Sequence, residues 1–183
     1  ARKILETADQ IVAIPCVCRK TTRTLDRSQN CPAPKDLNLC LMINEFGKEA
    51  ISRNVGEILS PTEAIERLEK AEAAGLVHMT RNNIKRDMIM CNCCSCCCTG
   101  LFMLNEIGYD SFAPSRFRVK LAEDACTGCE TCLDRCQFKA IEVDGIARID
   151  LDKCFGCGVC VPTCPGEALS LEEIRPKEFI RVT

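Results

Sequence analysis

The sequence of 183 residues contains no tryptophan, one tyrosine and one histidine, and aromatic residues make up 4% of it. Because aromatic surface is so small, the fold of a chain of this length must depend on some source of stability other than aromatic packing. Nothing around the single histidine marks a Ser–His–Asp arrangement, and neither GxGxxG nor GxxxxGK[ST] occurs, so the common hydrolase and nucleotide-binding classes are disfavoured.

An excess of charge of either sign is also missing, since 24 basic and 26 acidic side chains give a net charge of −2. Residues 1–114 carry 14 of each sign, and residues 115–183 carry 10 basic and 12 acidic side chains. This balance argues against nucleic acid as a partner. No apolar run reaches the roughly 18–20 residues of a membrane helix, and no signal peptide follows Arg2 and Lys3. We therefore expect a cytoplasmic protein without a membrane span.

Cysteine is the abundant residue, with 18 in the chain. Disulfide partners need separated positions whose side chains face each other. Here the cysteines are crowded at CxC, CC and CxxC spacings instead, which favours metal or cluster binding in a reducing compartment.

Eight of the cysteines form a repeat with an offset of 28 residues. The two runs are Cys126-x2-Cys129-x2-Cys132-x3-Cys136 and Cys154-x2-Cys157-x2-Cys160-x3-Cys164. Two CxxC steps place three thiolates around one cluster, and the fourth cysteine reaches the other cluster. We therefore assign Cys126, Cys129, Cys132 and Cys164 to one 4Fe-4S cluster, and Cys154, Cys157, Cys160 and Cys136 to a second. Gly128, Gly156 and Gly158 are small residues where the backbone passes close to a cluster. A pair of four-cysteine zinc sites is the alternative.

With these motifs, residues 115–183 resemble a bacterial-type ferredoxin with two 4Fe-4S clusters. The resemblance implies a ferredoxin-like domain that transfers electrons. One departure is Gln137, which follows Cys136 where the family usually has proline, as in Cys164-Pro165. Alternation of apolar and polar residues predicts a strand over 117–121 that pairs with 168–171, and a hairpin with a type I′ turn at Asp144-Gly145.

The N-terminal part contains the other ten cysteines: Cys16, Cys18, Cys31, Cys40, Cys91, Cys93, Cys94, Cys96, Cys97 and Cys98. Six cysteines within eight residues are not core packing, for which valine or leucine would serve without the oxidation hazard. They predict one or two further iron–sulfur clusters, of ordinary or unusual form, or one cluster beside a reactive thiol. Neighbours such as Cys93 and Cys94 point in different directions and are expected to serve different metals. One candidate quartet is Cys16, Cys18, Cys31 and Cys40.

Ordinary structure separates these cysteine groups. Ser60-Pro-Thr-Glu63 is a capping box that predicts a helix over 61–74, ended by Gly75. Strands over 76–79 and 87–90, joined by the basic turn 81–86 with Arg81, Lys85 and Arg86, are expected to follow, and a helix over 99–107 starts directly after the cysteine run. Helix and hairpin together resemble the wing half of a winged helix. The predicted fold class is therefore α+β, with a cysteine-rich domain over 1–114 and the ferredoxin-like domain over 115–183.

His78, the one histidine, allows two interpretations. It is either a ligand or proton donor beside a cluster, or a packed strand residue, and general side-chain frequencies favour the second. The combination of Cys16-x-Cys18-Arg19 with the run from Cys91 is similar to cysteine-rich, ferredoxin-fused modules of redox proteins from strict anaerobes.

These observations lead to three hypotheses about function. The leading one is an iron–sulfur protein or subunit that relays single electrons to or from a partner redox enzyme, within a larger oxidoreductase complex in the cytoplasm of an anaerobe. In the second, the N-terminal cysteine site itself reduces a substrate, fed by the ferredoxin domain. The third is an iron–sulfur DNA-binding regulator built on the winged-helix-like hairpin.

Overall fold

The computed structural model describes residues 1–27, 30–81, 83, 88–110 and 112–180. Helix accounts for 31% and strand for 22%, which confirms a mixed α+β protein. The chain divides into two compact units, whose main parts are Ala1–Thr99 and Gly100–Phe179. The sequence-based boundary at residue 114 lies further along the chain and stays a prediction.

The unit Ala1–Thr99 is built on a five-stranded antiparallel sheet in the order β3-β1-β2-β5-β4. Its strands are β1 Ile11–Ile14, β2 Cys40–Ile43, β3 Glu57–Leu59, β4 Val77–Thr80 and β5 Ile89–Cys93. Its helices are α1 Arg2–Glu6, α2 Val17–Thr24, α3 Glu45–Ser52 and α4 Pro61–Ala73. The register pairs Ile11 with Ile43 and Leu41 with Met90, so the central strands present their apolar residues together.

The core of this unit lies between the sheet and α4. Ser60 caps the helix: its hydroxyl accepts a hydrogen bond from the Glu63 amide, and the Glu63 carboxylate accepts one from the Ser60 amide, as the capping box predicts. Ala64 and Leu68 on α4 pack against Ile11 and Leu41 of the sheet, and all four are at most 5% exposed. The amphipathic helix is thus held by burial of one face.

The hairpin differs from the winged-helix expectation. Its strands β4 and β5 belong to the five-stranded sheet rather than to a separate wing. β5 also continues beyond residue 90 to Cys93, because residues 91–93 pair with β4 in the register Val77–Cys93. Strands of four residues such as β1 and β2 carry too weak a sequence pattern to be paired in advance. Of the predicted basic turn, Lys85 and Arg86 lie outside the described residues.

The second unit contains α5 Thr99–Ile107 from its second residue onward, α6 Thr131–Arg135 and two antiparallel strand pairs. β6 Phe117–Leu121 pairs with β9 Leu169–Glu173 in the register Leu121–Leu169, which confirms the predicted pairing. β7 Ile141–Asp144 and β8 Ile146–Ile149 form the predicted hairpin. Its turn is not type I′, because Asp144 pairs with Ile146 and only Gly145 has a positive φ.

Three glycines of this unit, Gly128, Gly156 and Gly166, have close backbone contacts that leave no room for a Cβ; at Gly166 the contact is with the carbonyl oxygen of Ala125. Gly128 and Gly156 have φ of +66° and +67°. A Cβ on Gly128 would collide with the carbonyl oxygen of Gly145, and one on Gly156 with that of Phe117. The prediction placed Gly128 and Gly156 against a cluster, whereas the structure shows that chain crossing alone already excludes a side chain there.

A pair of glycine substitutions tests whether a close backbone contact excludes a side chain at Gly156. Gly145→Ala places a side chain at φ +74° with no atom within 4 Å, so it should cost about 1 kcal/mol of stability from backbone strain alone. Gly156→Ala adds the collision with the Phe117 carbonyl and should cost at least about 3 kcal/mol. The midpoints of thermal unfolding of the two anaerobically purified variants measure the difference. Equal losses would contradict the close-contact explanation.

Candidate metal centres

Two cysteine-lined cavities lie in the unit Gly100–Phe179. One is lined by Cys126, Cys129, Cys132 and Cys164. The other is lined by Cys136, Cys154, Cys157 and Cys160. Each cavity thus collects three cysteines from one run and the fourth from the other run. These are the groupings expected for crossed ligation, and the ligand assignment itself stays a prediction.

Local backbone conformation repeats with the cysteines. Positive φ occurs at Gly128 and Gly156, at Glu130 and Gly158, and at Lys139 and Glu167, each pair 28 residues apart. After Glu130 the chain enters α6, which carries Cys132, and Cys136 ends that helix. The sequence repeat is therefore also a repeat of chain conformation.

The residues around the cavities suit an anionic cluster. The amide of Ala147 donates to Cys126 Sγ at 3.4 Å, and the amide of Ala140 donates to Cys136 Sγ at 3.3 Å. N–H groups directed at sulfur stabilise thiolates and tune a bound cluster. Valine, leucine and isoleucine side chains line the remaining walls, for example Val143 and Val159. These residues fit a 4Fe-4S cluster in each cavity.

Exposure within the cysteine runs is uneven. Cys132 and Cys160 are buried, whereas Cys129 and Cys157 are exposed. Burial raises the pKa of the Cys160 thiol to about 12, whereas hydrogen bonding to Thr131 lowers the pKa of Cys129. Because a metal binds the thiolate, the buried thiols need the metal in order to deprotonate at neutral pH.

The ten N-terminal cysteines fall into two groups. The first, which we call the thiol quartet, consists of Cys31, Cys94, Cys96 and Cys97, whose sulfur atoms all lie within 4.8 Å of one another. Cys31 and Cys94 are 3.6 Å apart, and Cys96 and Cys97 are 3.7 Å apart. Cys94 and Cys97 are buried and Cys96 is exposed.

The second group, the thiol sextet, gathers around one end of the sheet. Its members are Cys16, Cys18, Cys40, Cys91, Cys93 and Cys98. Since Leu41 pairs with Met90, the same antiparallel register brings Cys40 opposite Cys91. Hydrogen bonds from Cys40 and Cys93 lower the pKa of the Cys91 thiol.

This partition differs in part from the sequence-based groupings. Cys31 lies with the cysteine run and not in a quartet with Cys16, Cys18 and Cys40. Cys93 and Cys94 fall into different groups, as expected for neighbours in an extended chain, because β5 ends at Cys93. Cys96 and Cys97 share a group because the chain turns after the strand, as the hydrogen bond from the Cys97 amide to the Cys94 carbonyl shows.

Arg19, to which the sequence pattern assigned no role, lies among these thiols. The side chain is 4% exposed; its Nη2 donates to the Asn92 carbonyl oxygen at 3.1 Å and lies 3.9 Å from Cys94 Sγ. Burial lowers the pKa of Arg19, but the neighbouring Cys16 and Cys94 outweigh burial and raise it overall, so the guanidinium stays charged. The sequence feature that could have identified Arg19 is its position directly after the Cys16-x-Cys18 motif.

His78 contacts the sheet. Its Nδ1 lies 2.6 Å from Asn92 Oδ1 on the paired strand, and Asn92 Nδ2 donates to the Leu39 carbonyl oxygen at 2.7 Å. Asn92 is 3% exposed, so this amide joins three chain segments below the surface. The contact is that of a packed strand histidine.

Arg19→Met tests the buried cation. Removing the positive charge leaves anionic sulfur uncompensated, and we expect about 3 kcal/mol of lost stability together with loss of metal from residues 1–99. Arg23→Met, one turn later on α2, removes only a 3.4 Å hydrogen bond to the Ala33 carbonyl and should cost less than about 1 kcal/mol. Denaturant unfolding and metal analysis of both variants are the measurements. Equal behaviour of the two would refute a charge-compensating role.

Comparison with known proteins supports iron–sulfur binding at the second cysteine run. The Fer4 family, described as a 4Fe-4S binding domain, matches residues 147–170. This range contains the second cysteine run, so the chain carries an iron–sulfur domain of the ferredoxin type. No curated protein matches the chain. Within the described residues, no helix is both long and apolar enough to cross a membrane.

Proposed function

We propose that this protein is an iron–sulfur electron carrier that works as a subunit or partner of a redox enzyme in an anaerobic cytoplasm. Two 4Fe-4S clusters would be held by the cavities of the ferredoxin-like domain, and a further iron–sulfur cluster by the thiol sextet. Such clusters accept and release single electrons, at potentials set by burial, charge and hydrogen bonds to sulfur.

The observation that carries this proposal is the pair of cavities, each lined by four cysteines. Cys126, Cys129, Cys132 and Cys164 would bind one cluster, and Cys136, Cys154, Cys157 and Cys160 the other. With four thiolates each, both clusters would be fully ligated by protein, which suits electron transfer without substrate binding at iron. The thiol sextet offers six ligands to its cluster, again enough for complete ligation.

A relay is better supported than substrate reduction at the N-terminal site. His78, the one histidine of the chain, pairs with Asn92, whose side chain lies on the opposite face of β5 from Cys91 and Cys93, so the histidine does not face these thiols. Reduction of a substrate needs a proton source at the reacting atom as well as an electron. Cys129 and Cys157 are exposed, so a cluster bound by either cysteine would reach the protein surface, which suits transfer of an electron to an external protein.

The surface beside Cys129 indicates the charge of that partner. Glu123 and Asp124 lie exposed in the short 3₁₀ turn before Cys126, and Glu130 follows Cys129 directly. Bound clusters with four thiolates each add further negative charge, about −2 per oxidised cluster. A redox partner with a basic contact surface would therefore be attracted to this edge.

Cys129→Ala tests the cluster assignment. The variant should lose about 4 iron and 4 sulfide per chain, because one ligand of a complete set is gone. Ser170→Ala, an exposed position on β9 of the same unit, is the control and should keep the full content. Iron and sulfide analysis with EPR of the dithionite-reduced proteins gives the answer. An unchanged iron count in Cys129→Ala would contradict the assignment.

The acidic edge is tested by electron transfer to a basic acceptor, for which cytochrome c serves as probe. Glu123→Gln combined with Asp124→Asn should lower the second-order rate by about threefold at low salt and flatten its salt dependence. Glu6→Gln combined with Glu66→Gln removes two exposed charges from the other unit and is the matched control. Anaerobic stopped-flow measures both rates. Equal rates for the two pairs would exclude this edge as the docking surface.

A further inference from the structure

The sulfur atoms of the thiol quartet are spaced more tightly than those of the other cysteines. Among the residues the structure describes, only this set brings three or more histidine, cysteine or carboxylate ligand atoms within 4.8 Å of one another. The eight cysteines around the two cavities are all described, yet no three of them meet this spacing. The same holds for the thiol sextet. The chain therefore contains two kinds of thiol site.

The tight spacing matches ligands that share one metal ion. Zinc–thiolate bonds of about 2.3 Å in a tetrahedron place the sulfur atoms about 3.8 Å apart. The observed separations of 3.6 Å for Cys31 and Cys94 and 3.7 Å for Cys96 and Cys97 are close to that value. In a four-iron cluster each thiolate binds its own iron at a separate corner, so the sulfur atoms stand further apart.

We propose that Cys31, Cys94, Cys96 and Cys97 bind a single tetrahedral Zn²⁺ ion that organises the cysteine-rich unit. Four thiolates leave no open coordination position, which is the arrangement of structural and not of catalytic zinc sites. Zinc takes no part in redox chemistry, so this centre stands outside the electron relay of the proposed function. Iron–sulfur chemistry in this unit is then left to the thiol sextet.

The surroundings of the thiol quartet suit a structural ion. Cys94 and Cys97 pack in one apolar cluster with Ala33, Leu39 and Leu76. Cys31 belongs to the connection over residues 25–39 between α2 and β2, whose described part contains no helix or strand. A connection of this length without secondary structure needs an anchor, and a metal bound by Cys31 joins it to the cysteine run.

Charge balance also fits. Four thiolates on one Zn²⁺ carry a net charge of −2, and a buried charge needs a partner. The Arg19 guanidinium supplies one positive charge beside Cys94 Sγ. The single hydroxyl proton of Thr22, on the same helix, is shared between the Cys18 carbonyl oxygen at 2.8 Å and the Cys97 carbonyl oxygen at 3.2 Å, which links this helix to the turn that carries Cys97.

Metal analysis of the full chain, produced with both iron and zinc supplied and purified anaerobically, tests the site. We expect one zinc per chain, and the zinc X-ray absorption spectrum should show four sulfur ligands at about 2.3 Å. Cys96→Ser, at the exposed member of the set, should weaken zinc retention against a chelator by about tenfold or more while iron and sulfide stay unchanged. Ser95→Ala, the neighbouring position, is the control and should keep its zinc.

The reciprocal variant is Cys91→Ser in the thiol sextet, which should lose iron and sulfide and keep zinc. The proposal is overturned if purified wild-type chain contains no zinc, if the spectrum shows other than four sulfur ligands, or if Cys96→Ser loses iron and sulfide together. The wild-type spectrum distinguishes these outcomes even if a variant fails to fold. Failure of the electron-carrier function would appear differently, as clusters that cannot be reduced in a chain that still binds zinc.

Discussion

Repulsion between closely packed thiolates is the constraint on which this structure depends. Sulfur atoms such as those of Cys31 and Cys94, 3.6 Å apart, cannot all be ionised unless a cation lies among them. The chain has little aromatic surface with which to build a core by other means. Metal bound at the proposed sites would therefore contribute to the free energy of folding. Arg19 is the one buried cationic side chain in the part of the chain that the structure describes, and it lies beside Cys94.

The ferredoxin-like unit meets this constraint by duplication. Each cysteine run brings its own positive-φ positions at matching places, so each half makes the same loop around a cavity. The fourth cysteine of each run completes the cavity of the other half. Neither cysteine run lines a complete four-cysteine cavity alone. The chain crossings at Gly128 and Gly156 hold the halves in place.

In the N-terminal unit, the five-stranded sheet determines how the closely packed thiols are grouped. Antiparallel pairing of β1, β2 and β5 places Cys40 and Cys91 at the end of the sheet where β1 stops. Cys16 follows β1 in the chain, and all three cysteines belong to the thiol sextet. After β5 ends at Cys93, the chain turns, and Cys94, Cys96 and Cys97 join the thiol quartet, whereas Cys98 returns to the thiol sextet beside Cys93. The turn after β5 thus divides a single run of six cysteines between two sites of different spacing.

The 28-residue repeat predicted the groupings of the ferredoxin-like half, because the first three cysteines of each run lie on one short loop and the repeated motif implies that the fourth reaches the other half. The capping box at Ser60 and the pairing of residues 117–121 with 168–171 followed equally from local pattern. The division of the ten N-terminal cysteines, the burial of Arg19 and the five-stranded sheet did not. They depend on contacts between residues far apart in the sequence, such as Arg19 with Cys94, 75 positions later, and only the tertiary structure brings those together.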